Sequence, residues 1–261
     1  MLYLPKYLDT QLAESILDAS GIDLPSSTQV ETVTTRARSG SGKLGLPALT
    51  AERGGESTSE RKESYVRATP PSKLLEGALG ELRGIDQLID LAADPGYTVP
   101  RRGIVEVSGD IIASEISDVS ELMQSFSTLL ASGTLDLGDV PPEFLAMLAG
   151  PGASAPILLT MESDRHSFLV KGFSSNLVGD TTVDDLEGDL TMLAYVENVL
   201  SGDQAHPLDR YVLPGMSRAM RRKIGREQLL ALLDGVLQDG TSVDLDYHGP
   251  GIVVRAVSIY P

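Results

Sequence analysis

The sequence predicts an α+β fold: a mainly antiparallel sheet with interspersed helices, preceded by a short helix, a flexible Gly/Ser arm and a longer helix. Three observations carry this. Ile157 to Met161 and Phe168 to Phe173 are apolar runs on either side of the polar turn Ser163-Asp164-Arg165-His166, the pattern of an antiparallel hairpin. Val243 to Tyr247 and Ile252 to Tyr260 read as two closing strands separated by Gly249-Pro250-Gly251. Apolar residues three and four apart, such as Leu75, Leu79 and Leu82, mark helices among the strands.

Taken in order, Leu8, Leu12 and Ile16 recur every fourth residue, Asp9 or Thr10 can cap the first turn, and Gly21 can end the last, so residues 10–19 should be helical. From Pro25 to Arg67 Ser, Thr, Gly and mixed charges dominate. Ser39-Gly40-Ser41-Gly42, Gly45 and Gly54-Gly55 make regular structure there entropically costly, and the expectation is a long mobile connection, or an arm that orders on a partner. Thr69-Pro70-Pro71 ends it, and Ser72 is placed to cap a helix with the stripe Leu75, Leu79, Leu82, Ile85 and Ile89. Gly77, Gly80 and Gly84 share another face and could admit a neighbouring backbone. This divides the chain into an N-terminal helix and arm at 1–71 and an α+β domain at 72–261.

Within that domain Ile104, Val105 and Val107, continued by Ile111-Ile112, read as a strand. Asp118 with Glu121 resembles a capping box opening a helix that ends at Gly133. A short helix from Pro142 to Ala149 and a loop from Gly150 to Pro156 lead to the hairpin. Leu190 to Val199 and Tyr211 to Leu213 read as further strands, and Leu229 to Val236 as a helix.

Composition bounds the function. Asp and Glu number 37 against 21 Lys and Arg, a net charge of -16, so the long-range field repels phosphate backbones and anionic membranes. Neither a nucleic-acid partner nor a membrane is expected. The arm carries Arg36, Arg38, Lys43, Arg53, Arg61, Lys62 and Arg67 against fewer acids, so the acidity belongs to the folded body. The absence of cysteine excludes disulfides, thiolate nucleophiles, iron–sulfur clusters and the common structural zinc sites. Met1 to Asp9 lacks the basic and long apolar regions of a signal peptide, and the expected location is the cytoplasm.

Two stretches are distinctive. Val183-Asp184-Asp185-Leu186-Glu187-Gly188-Asp189-Leu190-Thr191-Met192-Leu193-Ala194-Tyr195-Val196 and the ending Gly249-Pro250-Gly251-Ile252-Val253-Val254-Arg255-Ala256-Val257-Ser258-Ile259-Tyr260 resemble an uncharacterised bacterial family catalogued only as a domain of unknown function. Tyr7-Leu8-Asp9 and the Gly/Ser-rich stretch from Gly40 to Gly45 resemble the same family. The resemblance supports the architecture and implies no catalytic residue or cofactor.

Most motifs fail on context. Gly40-Ser41-Gly42-Lys43-Leu44-Gly45 matches a dinucleotide fingerprint, but Pro47 follows and no βαβ unit surrounds it. As a P-loop it has Ala37 in place of the first glycine and Leu44 in place of the magnesium ligand. No serine sits in a Gly-x-Ser-x-Gly elbow, and only His166, His206 and His248 could serve as base.

Three candidates survive. Asp244, Asp246 and His248 alternate along a predicted strand and so share a face, where two carboxylates and an imidazole could hold a divalent metal or perform acid–base work; a solvated face opposite Val243, Leu245 and Tyr247 is the alternative. Arg218, Arg221, Arg222, Lys223 and Arg226 cluster as an anion or partner contact, because guanidinium forks bind carboxylate or phosphate in bidentate fashion. Asp180, Asp184, Asp185, Glu187 and Asp189 form an acidic run that lacks the spacing of a calcium loop and reads as a solvated turn, or as an acidic surface for a basic partner.

The expectation from sequence is therefore a non-enzymatic bacterial cytoplasmic interaction or regulatory protein acting on a protein partner, with no cofactor and no bound metal. The alternative is a small-molecule or nucleotide enzyme using the Asp244, Asp246, His248 face. A role in antiphage defence or its control is a further expectation that rests on no residue.

Overall fold

The computed structural model describes residues 3–21, 27–35, 60–68, 70–91, 93–94, 96, 98–117, 156–212, 226–227 and 244–261, with 27–35 and 60–68 at the level of backbone. Tyr7–Leu8 (β1) leads straight into helix α1 (Thr10–Ala19). Asp9 is its cap: Oδ1 accepts from the Leu12 N–H at 2.9 Å. Gly21, at φ 74°, takes the left-handed position that stops the helix, as its type requires.

Two compact units follow from the contacts, residues 25–70 and the remainder. The first contains a hairpin of β2 (Ser27–Thr35) and β3 (Glu60–Ala68), paired antiparallel from Ser27 opposite Ala68 to Thr35 opposite Glu60. The expected irregular arm is thus corrected at both ends. Thr and Val at 28, 30, 32–35 and Tyr65-Val66 are β-branched and aromatic residues suited to extended backbone, a signal outweighed in the sequence by the intervening glycines. The contacts place a boundary between residues 70 and 71, next to the one expected at 71, and group residues 1–24 with 71–261 and not with the arm.

Helix α2 (Pro71–Gly84) buries Leu74, Leu75, Ala78, Leu79 and Leu82. Leu75, Ala78, Leu79 and Leu82 pack with Ala13, Ile16 and Leu17 of α1 into a core shared with Ile104, Leu193, Val257 and Tyr260. The stripe expected to run on through Ile85 and Ile89 stops earlier: Ile85 is exposed and Ile89 lies on strand β4 (Leu88–Asp90). Ser72 falls inside the helix, and Gly80 and Gly84 face open space rather than a neighbouring backbone.

The remaining elements are β5 (Ile104–Ala113), β6 (Pro156–Glu162), β7 (Ser167–Phe173), β8 (Gly188–Leu200), β9 (Ala205–Pro207), a one-turn helix α3 (Asp209–Val212), β10 (Asp246–His248) and β11 (Gly251–Tyr260). Five of them close a barrel in the order β5-β6-β7-β11-β8 and back to β5. Every pairing within the barrel is antiparallel except β7 with β11, so the fold is the α+β class expected, wrapped as a Greek key. β4 extends the sheet beside β5, and β1 beside β11.

Closure depends on β5 serving two partners: Ile104 to Ile111 pair with β8, and Asp110 to Ala113 with β6. At the handover Gly109 passes so near β6 that a Cβ would lie 2.2 Å from the Glu162 carbonyl oxygen. Alternate residues point inward, including Val105, Met161, Phe168, Val170, Met192 and Val254, all essentially inaccessible to water. Complete burial of such side chains stabilises by roughly 1.5–3 kcal/mol each before entropy is counted. Tyr7 belongs to this core, and its hydroxyl accepts from the Phe173 N–H and the Asn176 amide, both at 3.2 Å. Tyr211 to Leu213, expected as a strand, begins instead as α3, since three residues are too few for periodicity to decide.

Candidate functional site

β8 and β11 are antiparallel neighbours with Leu200 opposite Gly251. A turn of about two to five residues would join such a pair. Instead the chain makes an excursion from Ser201 to Pro250, closed at its base where the Gly249 N–H donates to the Gln204 carbonyl at 2.8 Å. The β5 to β6 connection is extended in the same way, Ala113 lying opposite Leu159. Long connections on a rigid barrel are where binding groups concentrate. The 201–250 excursion carries β9, α3, β10, the whole of the first cluster described next and one residue, Arg210, of the second.

The Asp244, Asp246, His248 triad is one of them. Its three ligand atoms lie within 4.8 Å of one another. Asp246 and His248 are on β10, paired with Pro207 and Ala205 of β9, and share a face as the alternation predicts. Leu245, on the other side, is buried. His248 Nε2 is 3.3 Å from Asp244 Oδ2, while Asp244 Oδ1 accepts the Asp246 N–H at 3.0 Å. Arg226 supplies a built-in cation, with Nη1 2.6 Å from Asp246 Oδ2. Arg218, Arg221, Arg222 and Lys223 of the predicted basic cluster lie outside the described residues, as do Gly40 to Gly45 and the helices expected at 118–133, 142–149 and 229–236.

The second cluster was not legible in the sequence. Lys171 on β7 sits beside Arg255 on β11 in the parallel register, and both Arg255 and Arg210 of α3 act electrostatically on Lys171. Lys171 Nζ donates to Glu197 of β8 and lies 5.9 Å from the Tyr211 ring. Arg210 stacks on the same ring at 4.7 Å and donates from Nη2 to His206 Nε2 at 2.7 Å. Arg255 donates from Nη2 to Asp9 Oδ2 at 2.7 Å and covers the Phe173 ring at 5.6 Å. Three cations thus meet two carboxylates.

The electrostatic consequence is visible in the neighbours. Burial, then the nearby Arg210 and Lys171, push the His206 imidazole down to about 4, so it is neutral near pH 7 and accepts through Nε2. Burial also lowers Lys171, against the pull of Glu197 and helped by Arg210 and Arg255. Burial raises the Tyr211 hydroxyl to about 12. Burial is what these shifts share, and the nearby cations add to the lowering of His206 and Lys171 while opposing the rise of Tyr211.

The acidic run at 180–189 is a solvated turn in the structure: Asp185, held below the usual carboxylate range, accepts from the Thr182 N–H and hydroxyl at 2.8 Å each. Asp189 itself continues into β8 and helps line a cleft of about 420 Å³ with Asp110, Glu162, Asp164 and His166. The three histidines therefore occupy different surroundings, and His206 and His248 fall on opposite faces of the β9–β10 ribbon.

Residues 5–260 match a family described as a domain of unknown function, DUF6414. The chain belongs to that family. No curated protein and no solved structure matches it. In this DUF6414 chain the segments that carried the resemblance have structural work: Tyr7 fills the barrel, Asp9 caps α1, and Gly251 to Tyr260 form the strand that closes β7 to β8.

Proposed function

We propose that the chain is a non-enzymatic interaction module of the bacterial cytoplasm, in which a Greek-key barrel presents the 201–250 excursion and the adjoining β7–β11 face to a protein partner bearing an anionic group. The observation that carries this reading is that Arg210, which no carboxylate bonds among the described residues, and Arg255 both act on Lys171, while Lys171 and Arg255 each hold one carboxylate, in a chain whose net charge is -16. Five-stranded Greek-key barrels of the OB type bind ligands on the face of their second and third strands, here β6 and β7, and through the corresponding two connections, a fold-level analogy that supports the excursion and the β7 side of the face. The cysteine-free composition fits a reducing compartment, and no helix among the described residues is long and apolar enough to cross a membrane.

The test is affinity capture from the native host with the wild-type chain and with Arg210→Glu, read by mass spectrometry. A reproducible partner lost on charge reversal supports the module. Identical captured proteins for both chains would sink it.

A second reading rests on a separate observation. Two carboxylates and an imidazole with ligand atoms within 4.8 Å are a donor set for a borderline divalent ion such as zinc or manganese. On this reading Asp244, Asp246 and His248 bind the ion and Arg226 competes with it for Asp246.

A further inference from the structure

The geometry points to a phosphate-binding site formed by Lys171, Arg210 and Arg255, which names the anionic group left open in the proposed function and rests on that reading. The donors come from three elements, β7, α3 and β11, so they address an anion from several directions, as a tetrahedral oxyanion with several acceptor oxygens allows and a planar carboxylate uses less fully.

Each cation brings something that its present contacts leave unspent. Arg210, which is exposed, has its contacts with a neutral imidazole and an aromatic face, and no carboxylate bonds it among the described residues. Arg255 keeps its Nε buried with no hydrogen-bond partner, although Nη2 is held by Asp9. That unpaired donor is costly where it stands but closed to solvent, so Arg255 contributes to the site through its charge. Lys171 is nearly buried, with 13% of its side chain exposed, and is shared between Glu197 and the two arginines that repel it. An incoming anion relieves that repulsion.

Glu197 and Asp9 set the limits of the site. They hold Lys171 and Arg255 in place and offset two of the three charges, so that the remaining positive charge is centred on Arg210. Tyr211 takes cation contacts from both Arg210 and Lys171 and so ties the two to one ring. His206, neutral and accepting from Arg210, orients the guanidinium without cancelling its charge.

The experiment is isothermal titration of the full chain with inorganic phosphate, acetate and chloride at matched ionic strength, repeated on Arg210→Gln, Arg210→Lys and Lys73→Gln. Lys73 is an exposed α2 residue that controls for net charge. Saturable phosphate binding that weakens about tenfold or more in both Arg210 variants, as expected for loss of a bidentate charge-assisted contact, and stays unchanged in Lys73→Gln is the expected result. Acetate binding as well as phosphate would overturn the assignment to phosphate, and so would an undiminished response in Arg210→Gln or none in the wild type. If phosphate fails while partner capture still depends on Arg210, the interaction module stands and the phosphate assignment alone falls.

Discussion

Arg255, in the last strand, donates from Nη2 to Asp9 Oδ2 at 2.7 Å, and the other oxygen of the same carboxylate caps α1 through the Leu12 N–H. One buried aspartate therefore fastens the first helix to the strand that closes the barrel. Replacing Asp9 by Asn keeps an oxygen for the cap and removes the ion pair, whereas Ala removes both. With Arg255 partly in solvent, the pair deserves a modest value, and the expected losses are about 1 kcal/mol for Asn and about 2 kcal/mol for Ala. Urea denaturation followed by circular dichroism measures them; equal losses would show that the cap contributes nothing.

Barrel closure makes a second prediction. A Cβ at Gly109 would stand 2.2 Å from the Glu162 carbonyl, so Gly109→Ala must push β5 away from β6. We expect a loss of about 2–3 kcal/mol. Gly80 in α2 is the contrast: open space surrounds it, and Gly80→Ala should gain up to about 1 kcal/mol through helix propensity. Denaturation midpoints that moved the same way for both would contradict the β5 handover.

Stability should fall with acid through His206. Its folded value, about 4, is below the ordinary 6.5, so between those values the unfolded chain binds more protons than the folded one. Stability attributable to this residue is intact above pH 6.5, declines as the pH drops towards 4, and changes no further below that. After allowance for partial exposure the swing is about 1–2 kcal/mol. Urea midpoints for wild type and His206→Gln at several pH values between 7 and 4 isolate it, because the variant should lack this component. Parallel curves would refute it.

At the triad, titration with zinc should give binding that is lost in Asp244→Asn and in His248→Ala. Arg226→Gln should tighten it by about two- to fivefold, the equivalent of an exposed ion pair. Elemental analysis after dialysis reads the stoichiometry. Zinc bound equally by the His248→Ala chain would leave the outward β10 face as solvated surface.

The strands from Ile157 to Phe173 and from Ile252 to Tyr260 and the first helix were legible because their apolar periods are local properties. The shared face of Asp246 and His248 was legible for the same reason. The β2–β3 hairpin was not, since its pairing joins residues separated by a long Gly- and Ser-rich stretch that no local pattern bridges. Nor was the cluster of Lys171, Arg210 and Arg255. Each is an isolated cation in an acidic sequence, and nothing in the spacing between them signals proximity.

By itself the sequence determined the mixed α and β class, the acidic body, the absence of thiol chemistry and the alternation that aligns the triad, because composition and period act over a few residues. Tertiary structure decided that the sheet closes on itself, that residues 1–24 belong with the barrel, and that three distant cations become neighbours. Those outcomes depend on which strands pair and in which register, and pairing between β7 and β11 is set by burial of two inward faces far apart in the chain.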